Sequence, residues 1–185
     1  FQVAVVDDDG QEMPAGQEGQ IAVKVNPERP VGMFREYWRD GEAMERSFQG
    51  DWYFTGDKAY RDDDGYFWFV GRADDVIISA GYRIGPFEVE SALIEHPAVA
   101  ESAVVASPDP VRGEIVKALV ILSPGYVGSD ELVLSLQEHV RTATAPYKYP
   151  RAIDFVTELP KTISGKIRRV ELREAEFKNS GQTPG

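Results

Sequence analysis

At 185 residues the chain holds one domain or two small ones, and its 42% apolar content is ordinary for a packed globular protein. The absence of cysteine excludes disulfides, iron–sulfur clusters and thiolate zinc sites and fits a reducing compartment, while two histidines, His96 and His139, give no basis for a histidine-rich metal site. A net charge of −11 makes the chain a poor partner for nucleic acid, and no apolar run approaches the ~20 residues that span a bilayer.

Residues 1–70 read as all-β. Val3–Val6 is a short apolar run closed by the turn signal Asp7-Asp8-Asp9-Gly10. Ile21, Val23 and Val25 alternate with polar neighbours and predict a half-buried strand. The aromatic runs Trp52–Phe54 and Tyr66–Val70 flank Asp62-Asp63-Asp64-Gly65 and predict a hairpin. These strands are too few to close a barrel. The chain opens on Phe1 and runs straight into a strand pattern, so it reads as part of a longer protein.

After Gly71-Arg72 the pattern becomes mixed. Pro86 sits where a first-turn proline belongs, and Val89, Ala92 and Leu93 follow at helical spacing up to Pro97. Ala103–Ala106 and Ile115–Leu122 read as strands separated by Pro108, Pro110 and Gly113. Ser129 is an N-cap for a helix with Leu132, Leu136 and Val140 on one face, stopped by Pro146. Ile153–Val156 is another strand, Pro160–Lys166 a polar loop, and Arg168–Phe177 a last helix before the polar tail Asn179–Gly185. The second part is a compact α+β unit of about 110 residues, a common domain size. The natural hinge is Gly71-Arg72-Ala73-Asp74-Asp75.

Four short segments carry candidate chemistry. Thr55-Gly56-Asp57 sets a carboxylate beside a glycine turn; ionised Asp accepts through two oxygens and suits a ribose diol, though an Asp after Gly is equally a turn residue. Arg72 lies fifteen residues beyond Asp57, and the intervening turn can bring both to one ligand or to a surface ion pair. Ser79-Ala80-Gly81-Tyr82-Arg83-Ile84-Gly85-Pro86 is poor in side-chain bulk, carries a guanidinium at Arg83 and aims a helix N-terminus at the same place, which suits an anion; it also suits a tight strand–helix connection. Pro160–Lys166 has the build of a mobile loop, and Lys166 is a point charge on a long stem. Between Arg141 and Arg173 eight basic residues face three acids, a basic segment on an acidic protein: an anion site or a solvated face.

The order and spacing of these segments resemble the adenylate-forming enzymes, which comprise acyl-CoA synthetases, luciferases and peptide-synthetase adenylation domains. Thr55–Asp57, Gly71–Glu90 and Pro160–Lys166 look like that superfamily's last three signature blocks, and the likeness runs to about Lys178. Tyr82–Ile94, Ser107–Lys117 and Ala145–Arg151 are most similar to medium-chain fatty acyl-CoA synthetases. The resemblance implies an α+β chain: residues 1–72 as the β-rich end of a large N-terminal AMP-binding domain, then residues 73–185 as a small mobile C-terminal domain with an antiparallel sheet flanked by helices. It implies a two-step ligase. ATP and a carboxylic acid give an acyl-adenylate and pyrophosphate; the C-terminal domain then rotates, and CoA takes the acyl group as a thioester.

Residue by residue, the resemblance gives Asp57 the ribose hydroxyls and Arg72 support of the same nucleotide. Asp74 falls on the hinge. Lys166 falls on the catalytic lysine that meets carboxylate and phosphate in the first step. Ala80, Gly81 and Tyr82 line the CoA approach, Arg83 touches its adenylate side, and Arg112 and Arg141 fall on basic positions that meet the CoA nucleotide. ATP, Mg²⁺ and CoA are the implied co-substrates, with no metal ligand in this chain and a cytoplasmic location, or the mitochondrial matrix in a eukaryote. The superfamily's phosphate loop, acid pocket and aromatic-Thr-Glu block have no counterpart here, so the chain alone is expected to be inactive. Ala80 stands where Ser is often seen. Two other readings remain open: another adenylate-forming ligase, such as an aryl-CoA ligase or a peptide-synthetase adenylation domain, and a non-catalytic CoA- or nucleotide-binding module.

Overall fold

A computed structural model describes residues 1–179; the tail from residue 180 lies outside the described residues, and with it all but the first residue of the segment Asn179–Gly185. The chain divides into two units, Phe1–Asp74 and Asp75–Gly185, two residues past the boundary read from the sequence.

The first unit is a five-stranded antiparallel sheet. Its strands are β1 (Val3–Val6), β2 (Glu18–Lys24), β3 (Phe48–Gln49), β4 (Trp52–Arg61) and β5 (Phe67–Arg72). The order is β1-β2-β4-β3, with β5 also on β4. Ala4 pairs with Ala22 and Ala22 with Phe54, so these side chains share one face. That face carries the core of Ala4, Val6, Ala22, Trp52 and Phe54. The half-buried strand read at Ile21, Val23 and Val25 is present: all three are half-buried, Val25 just past the end of β2, and Ala22 is fully buried. The two large aromatics of β4 share the face of Ala22, and only a small side chain fits beneath them. A departure from the all-β reading is α1 (Gly41–Ser47), which Asp40 caps by accepting the Ala43 N–H at 2.9 Å.

The second unit contains β6 (Ile77–Ser79), β7 (Tyr82–Ile84), α2 (Pro86–Ile94), β8 (Val99–Asp109), β9 (Gly113–Leu122), α3 (Asp130–Ala143), β10 (Ala152–Phe155) and α4 (Arg169–Asn179). The sheet order is β10-β9-β6-β7, with β8 also on β9. All pairings are antiparallel except β10 on β9, which is parallel. The expectation of an antiparallel sheet therefore fails at that strand: α3 carries the chain back across the sheet, so β10 re-enters in the direction of β9. The β8–β9 hairpin is longer than the sequence suggested, because Pro108 pairs opposite Glu114 within it.

In β9, Val116, Ala118 and Val120 are buried at period two, as in a sheet with one dry face. In β8, Ser102 to Ala106 are buried without alternation, because α2 and α4 both pack against this strand. Pro86 opens α2, and Ser129 caps α3 by accepting the Leu132 N–H at 3.2 Å. Ile77, Ile84, Val89, Leu93, Val104 and Val140 are among the core side chains that these elements close over.

The two histidines join α2 to α3. His139 Nε2 lies 3.0 Å from Ala92 O, and His96 Nε2 lies 3.3 Å from Ser135 Oγ, with the rings edge to face at 5.3 Å. The Ala98 N–H donates to His96 Nδ1 at 3.2 Å, so the neutral His96 ring carries its proton on Nε2. Burial, and then the nearby His139, hold the His96 pKa below its ordinary 6.5. The fold thus favours neutral His96. The stability from this contact is present above pH 6.5 and is lost as pH falls through the depressed value. We expect the wild type to lose stability relative to His96→Gln as the pH is lowered across that range. Parallel chemical-denaturation profiles for the two proteins would refute this.

Candidate functional site

The first unit gathers three of the sequence-read residues. The pairing of β4 with β5 places Asp57 opposite Arg72. Arg72 Nη1 donates to Asp57 Oδ1 at 3.3 Å and to Thr55 O at 3.0 Å, and Arg72 Nε donates to Asp74 Oδ1 at 3.2 Å. Burial works against the Arg72 charge, but the Asp74 and Asp57 carboxylates outweigh it and raise its pKa. The glycine turn expected at Thr55–Asp57 is instead an irregular point inside β4, and Thr55 braces it: its Oγ1 donates to Ile21 O at 3.0 Å and accepts the Asp57 N–H at 3.2 Å. Gly56 has φ +78°, and a β-carbon there would stand 2.8 Å from Arg72 Nη2. The glycine therefore serves both the backbone and the guanidinium lying across it.

Beside this group the Tyr37 and Tyr53 hydroxyls lie 3.2 Å apart. Burial and the Tyr37 hydroxyl push the Tyr53 pKa up to about 12, so it stays a neutral phenol. A cleft of about 330 Å³ is lined by Tyr37, Arg46, Thr55, Gly56, Arg72 and Asp74. An accepting carboxylate, a guanidinium and a phenol at its rim suit a small polar ligand rich in hydroxyls. Sequence reading missed Tyr37, Tyr53 and Arg46. Tyr53 counted only as part of a strand, and no spacing links the other two to Asp57.

In the second unit, β6 and β7 meet through Ala80 and Gly81, at φ 49° and 83°. Two positive φ values define a type I′ hairpin turn. Nothing lies within 4 Å of a β-carbon built at Gly81, so backbone conformation rather than crowding calls for glycine there. The Ala80 N–H donates to Arg112 O at 3.1 Å, which joins this turn to the β8–β9 turn. Asp109 shapes the latter by accepting the Arg112 and Val111 N–H groups, which lower its pKa. Tyr82 stacks on Tyr147 with ring centroids 4.3 Å apart. Arg83, opposite Ile78 and exposed, has no side-chain partner among the described residues.

Arg141, in the last turn of α3, pairs with Glu138 at 2.9 Å and lies 4.4 Å from the Tyr149 ring centroid. Arg151 lies 4.9 Å from that centroid and donates to the Tyr149 hydroxyl at 2.9 Å. Arg112 and Arg151 both help to lower the Asp109 pKa, so Tyr149 and Arg151 fall between the two basic positions read from the sequence. Tyr147, Tyr149 and Arg151 went unread as site residues. The aromatic–basic alternation of Ala145–Arg151 was their signal.

Lys166 lies elsewhere on this unit. Its loop closes through the Arg168 N–H to Pro160 O at 2.8 Å and a bridge between Lys161 and Ile167. Lys161 Nζ reaches Glu101 Oε2 at 2.8 Å, near the start of β8. Arg112 sits beyond the far end of the same strand. Glu101 and Asp109 are eight residues apart, about 26 Å at a strand's rise per residue. The lysine loop and the Ala80–Gly81 turn thus stand at opposite ends of one hairpin.

Charge pairing sharpens the contrast. Of the eight basic residues between Arg141 and Arg173, six form ion pairs: Arg141, Lys148, Lys161, Arg168, Arg169 and Arg173. Arg151 engages Tyr149. Lys166, fully exposed, is the one with no side-chain partner among the described residues. The basic segment is mostly neutralised, and its uncommitted charge is at Lys166.

Residues 88–166, within the second unit, match the AMP-binding enzyme C-terminal domain. The chain is 57% identical over 179 residues to the mouse mitochondrial acyl-coenzyme A synthetase ACSM3, covering 96% of this chain and 31% of that protein. It is 59% identical to rat mitochondrial ACSM5 over the same coverage. The chain therefore spans about a third of the length of these relatives. Among solved structures it resembles the anthranilate CoA ligase AuaEII in complex with anthranoyl-AMP, at a TM-score of 0.84 and 42% identity over 97% of this chain and 34% of that one. It also resembles ATP-bound MatB from Rhodopseudomonas palustris, at 0.81 and 32% over 94% and 33%.

The crossing of Arg72 over Gly56 yields a direct test. Gly56→Ala should destabilise the protein by about 1–2 kcal/mol through its positive φ, with a further loss from displacing the guanidinium. In an Arg72→Ala background only the backbone part should remain. Equal losses in both backgrounds, measured by urea denaturation, would show that the guanidinium does not press on this position.

Proposed function

We propose that the protein to which this chain belongs is an ATP-dependent, AMP-forming acyl-CoA synthetase that activates a medium-chain fatty or related acid and transfers it to CoA. The observation that carries this reading is the pair of sites at opposite ends of the β8–β9 hairpin. A lysine able to stabilise developing negative charge stands at one end, and an aromatic, basic, side-chain-poor face at the other. One small domain can then serve two steps by turning. The relatives' names, acyl-coenzyme A synthetase, support the reaction class.

In this reading Asp57 accepts from the ribose hydroxyls of ATP and AMP. Arg72 holds that carboxylate in place and adds positive charge beside the nucleotide. Lys166 reaches the carboxylate and phosphate of the adenylation centre, where a positioned cation lowers the barrier in a dry site. Asp74 is the hinge, at the seam between the two units. Ala80, Gly81 and Tyr82 flank the pantetheine path, with Tyr147 extending the aromatic wall. Arg83 faces the adenylate, and Arg112 and Arg141 meet the CoA nucleotide. The described residues offer no group of three or more metal-ligating side chains, so we assign Mg²⁺ to the phosphates of ATP and route no step of this chain through it. We place the protein in the mitochondrial matrix, following its relatives' names; no described helix is long and apolar enough to cross a membrane.

In the full-length protein, Lys166→Ala should cut acyl-adenylate formation from octanoate and ATP by ~10²-fold or more, the scale for removal of one preorganised electrostatic contact. Thioester formation from pre-made octanoyl-adenylate and CoA should change far less. The melting temperature should hardly move, because the side chain is exposed and has no ion-pair or hydrogen-bond partner among the described residues. Adenylation that survives the substitution, or an equal fall in both half-reactions, would remove Lys166 from this role. Asp74→Pro should do the reverse, since proline fixes φ near −65° and traps a backbone that must adopt two states. A loss in adenylation as large as that in thioesterification would count against the hinge.

A further inference from the structure

We infer that two carboxylates, Glu90 and Glu101, are positioning residues that set the place of the Lys166 ammonium without touching any substrate. The inference rests on the adenylation role given to Lys166 above.

The lysine loop is ordered from within. The Thr162 N–H donates to Lys166 O at 2.8 Å, and the Gly165 N–H donates to Thr162 O at 2.9 Å. Thr162 Oγ1 accepts the Lys166 N–H at 3.1 Å and lies 2.9 Å from Ser164 Oγ. With its base closed between Pro160 and Arg168, the loop is a single body hung on two stems. It has almost no apolar seat: every residue from Lys161 to Lys166 is exposed, and Ile163 stands wholly in solvent. Core packing therefore does not aim it, and its orientation has to come from the stems.

Both stems are ionic and both lead to β8. On the incoming side, Lys161 Nζ holds Glu101 Oε2 at 2.8 Å. On the outgoing side, Arg169, three residues after Lys166, forks onto Glu90: Nε to Oε1 at 3.1 Å and Nη2 to Oε2 at 2.6 Å. Glu90 Oε1 also accepts the Val104 N–H of β8 at 2.8 Å, and Arg169 lies 4.2 Å from the Phe87 ring centroid. A two-point, planar arginine–carboxylate contact fixes direction as well as distance. Glu101 and Val104 are three residues apart on one strand, so the loop straddles a short, rigid length of β8.

The two posts differ in what they do for folding. The Glu90 and Arg169 side chains are 12% and 13% exposed, and removing one partner of so buried a pair strands a charge. The Lys161 and Glu101 side chains are 40% and 33% exposed, and a pair of that kind contributes little to stability. The outer pair can therefore be broken to test aim separately from folding.

The experiment compares Glu101→Lys, Lys161→Glu and the combined exchange in the full-length protein, with Glu90→Gln as the inner counterpart. Each single substitution should lower acyl-adenylate formation by ~10-fold, less than the ~10²-fold that a misplacement of about 1 Å can cost because the other post still holds the loop, and leave thioester formation from pre-made adenylate within about twofold. The combined exchange should restore most of the adenylation rate. Hydrogen exchange at the Thr162 and Lys166 amides should quicken in the single variants and return to normal in the exchange. If Glu90→Gln does not fold, the outer variants still decide. Unchanged adenylation in Glu101→Lys, an equal fall in both half-reactions, or no rescue by the exchange overturns the inference. Lys166→Ala measured alongside separates the two claims. If it spares adenylation, the adenylation reading and the inference resting on it both fall; if it abolishes adenylation while the Glu101 variants do nothing, only the positioning claim falls.

Discussion

The pairing of Val99–Asp109 with Gly113–Leu122 is the constraint on which the second unit depends. It runs the length of the sheet, and its strand Val99–Asp109 carries both α2 and α4. It also fixes the separation of the two candidate sites. A strand is nearly inextensible, so features anchored at Glu101 and at Asp109 cannot approach each other without breaking the ladder between them. In the proposed reaction, sites that cannot meet are used in turn, by turning the whole unit.

Electrostatics decide which of many charges is free to act. The chain is strongly acidic, yet its basic residues cluster between Arg141 and Arg173. Acids reach into that cluster from α2 and β8: Glu88 to Lys148, Glu90 to Arg169, Glu101 to Lys161. Lys117 shows how strongly such pairing acts. Burial opposes its charge, but Asp154 and Glu176 outweigh burial and raise its pKa. Glu90 shows the opposite balance, since burial raises its pKa despite the Arg169 contact that works to lower it. These pairs commit most of the local cations to structure. Lys166 is left without a side-chain partner among the described residues, and a lysine that can neutralise a passing phosphate has to be one that is not already neutralised.

Much of this was legible in the sequence because it rests on local rules. The turn chemistry of Asp62–Gly65, the N-cap at Ser129, the first-turn Pro86 and the small polar loop at Pro160–Lys166 each declare themselves within a few residues. What the sequence left unread depended on partners distant along the chain. Ala22 is the buried residue of β2 because Trp52 and Phe54, some thirty residues later, share its face. The positive φ of Gly81 belongs to a hairpin turn visible only once β6 and β7 are paired. Tyr53 joins the first site through Tyr37, across a contact that no spacing encodes. Period and propensity locate elements well; they do not say which side chains a fold will bring together.

The contacts around Arg72 have the strength that its proposed role, beside a nucleotide and a hinge, calls for. Its bonds to Asp57 and Asp74, at 3.3 and 3.2 Å, are long for charge-assisted pairs, and all three side chains are a third or more exposed. Ion pairs of that kind are worth about 0–1 kcal/mol, little more than thermal energy. A tight, dry pair would resist any ligand that sought the Asp57 carboxylate, because separating it would strand a charge. Here Arg72 also bonds Thr55 O at 3.0 Å across Gly56, so it keeps its place even when a carboxylate turns elsewhere. The guanidinium is held by the Thr55 carbonyl and by the backbone it crosses as well as by the two acids. In the proposed role the Asp57 carboxylate can turn to accept from a ribose while the positive charge beside it stays fixed.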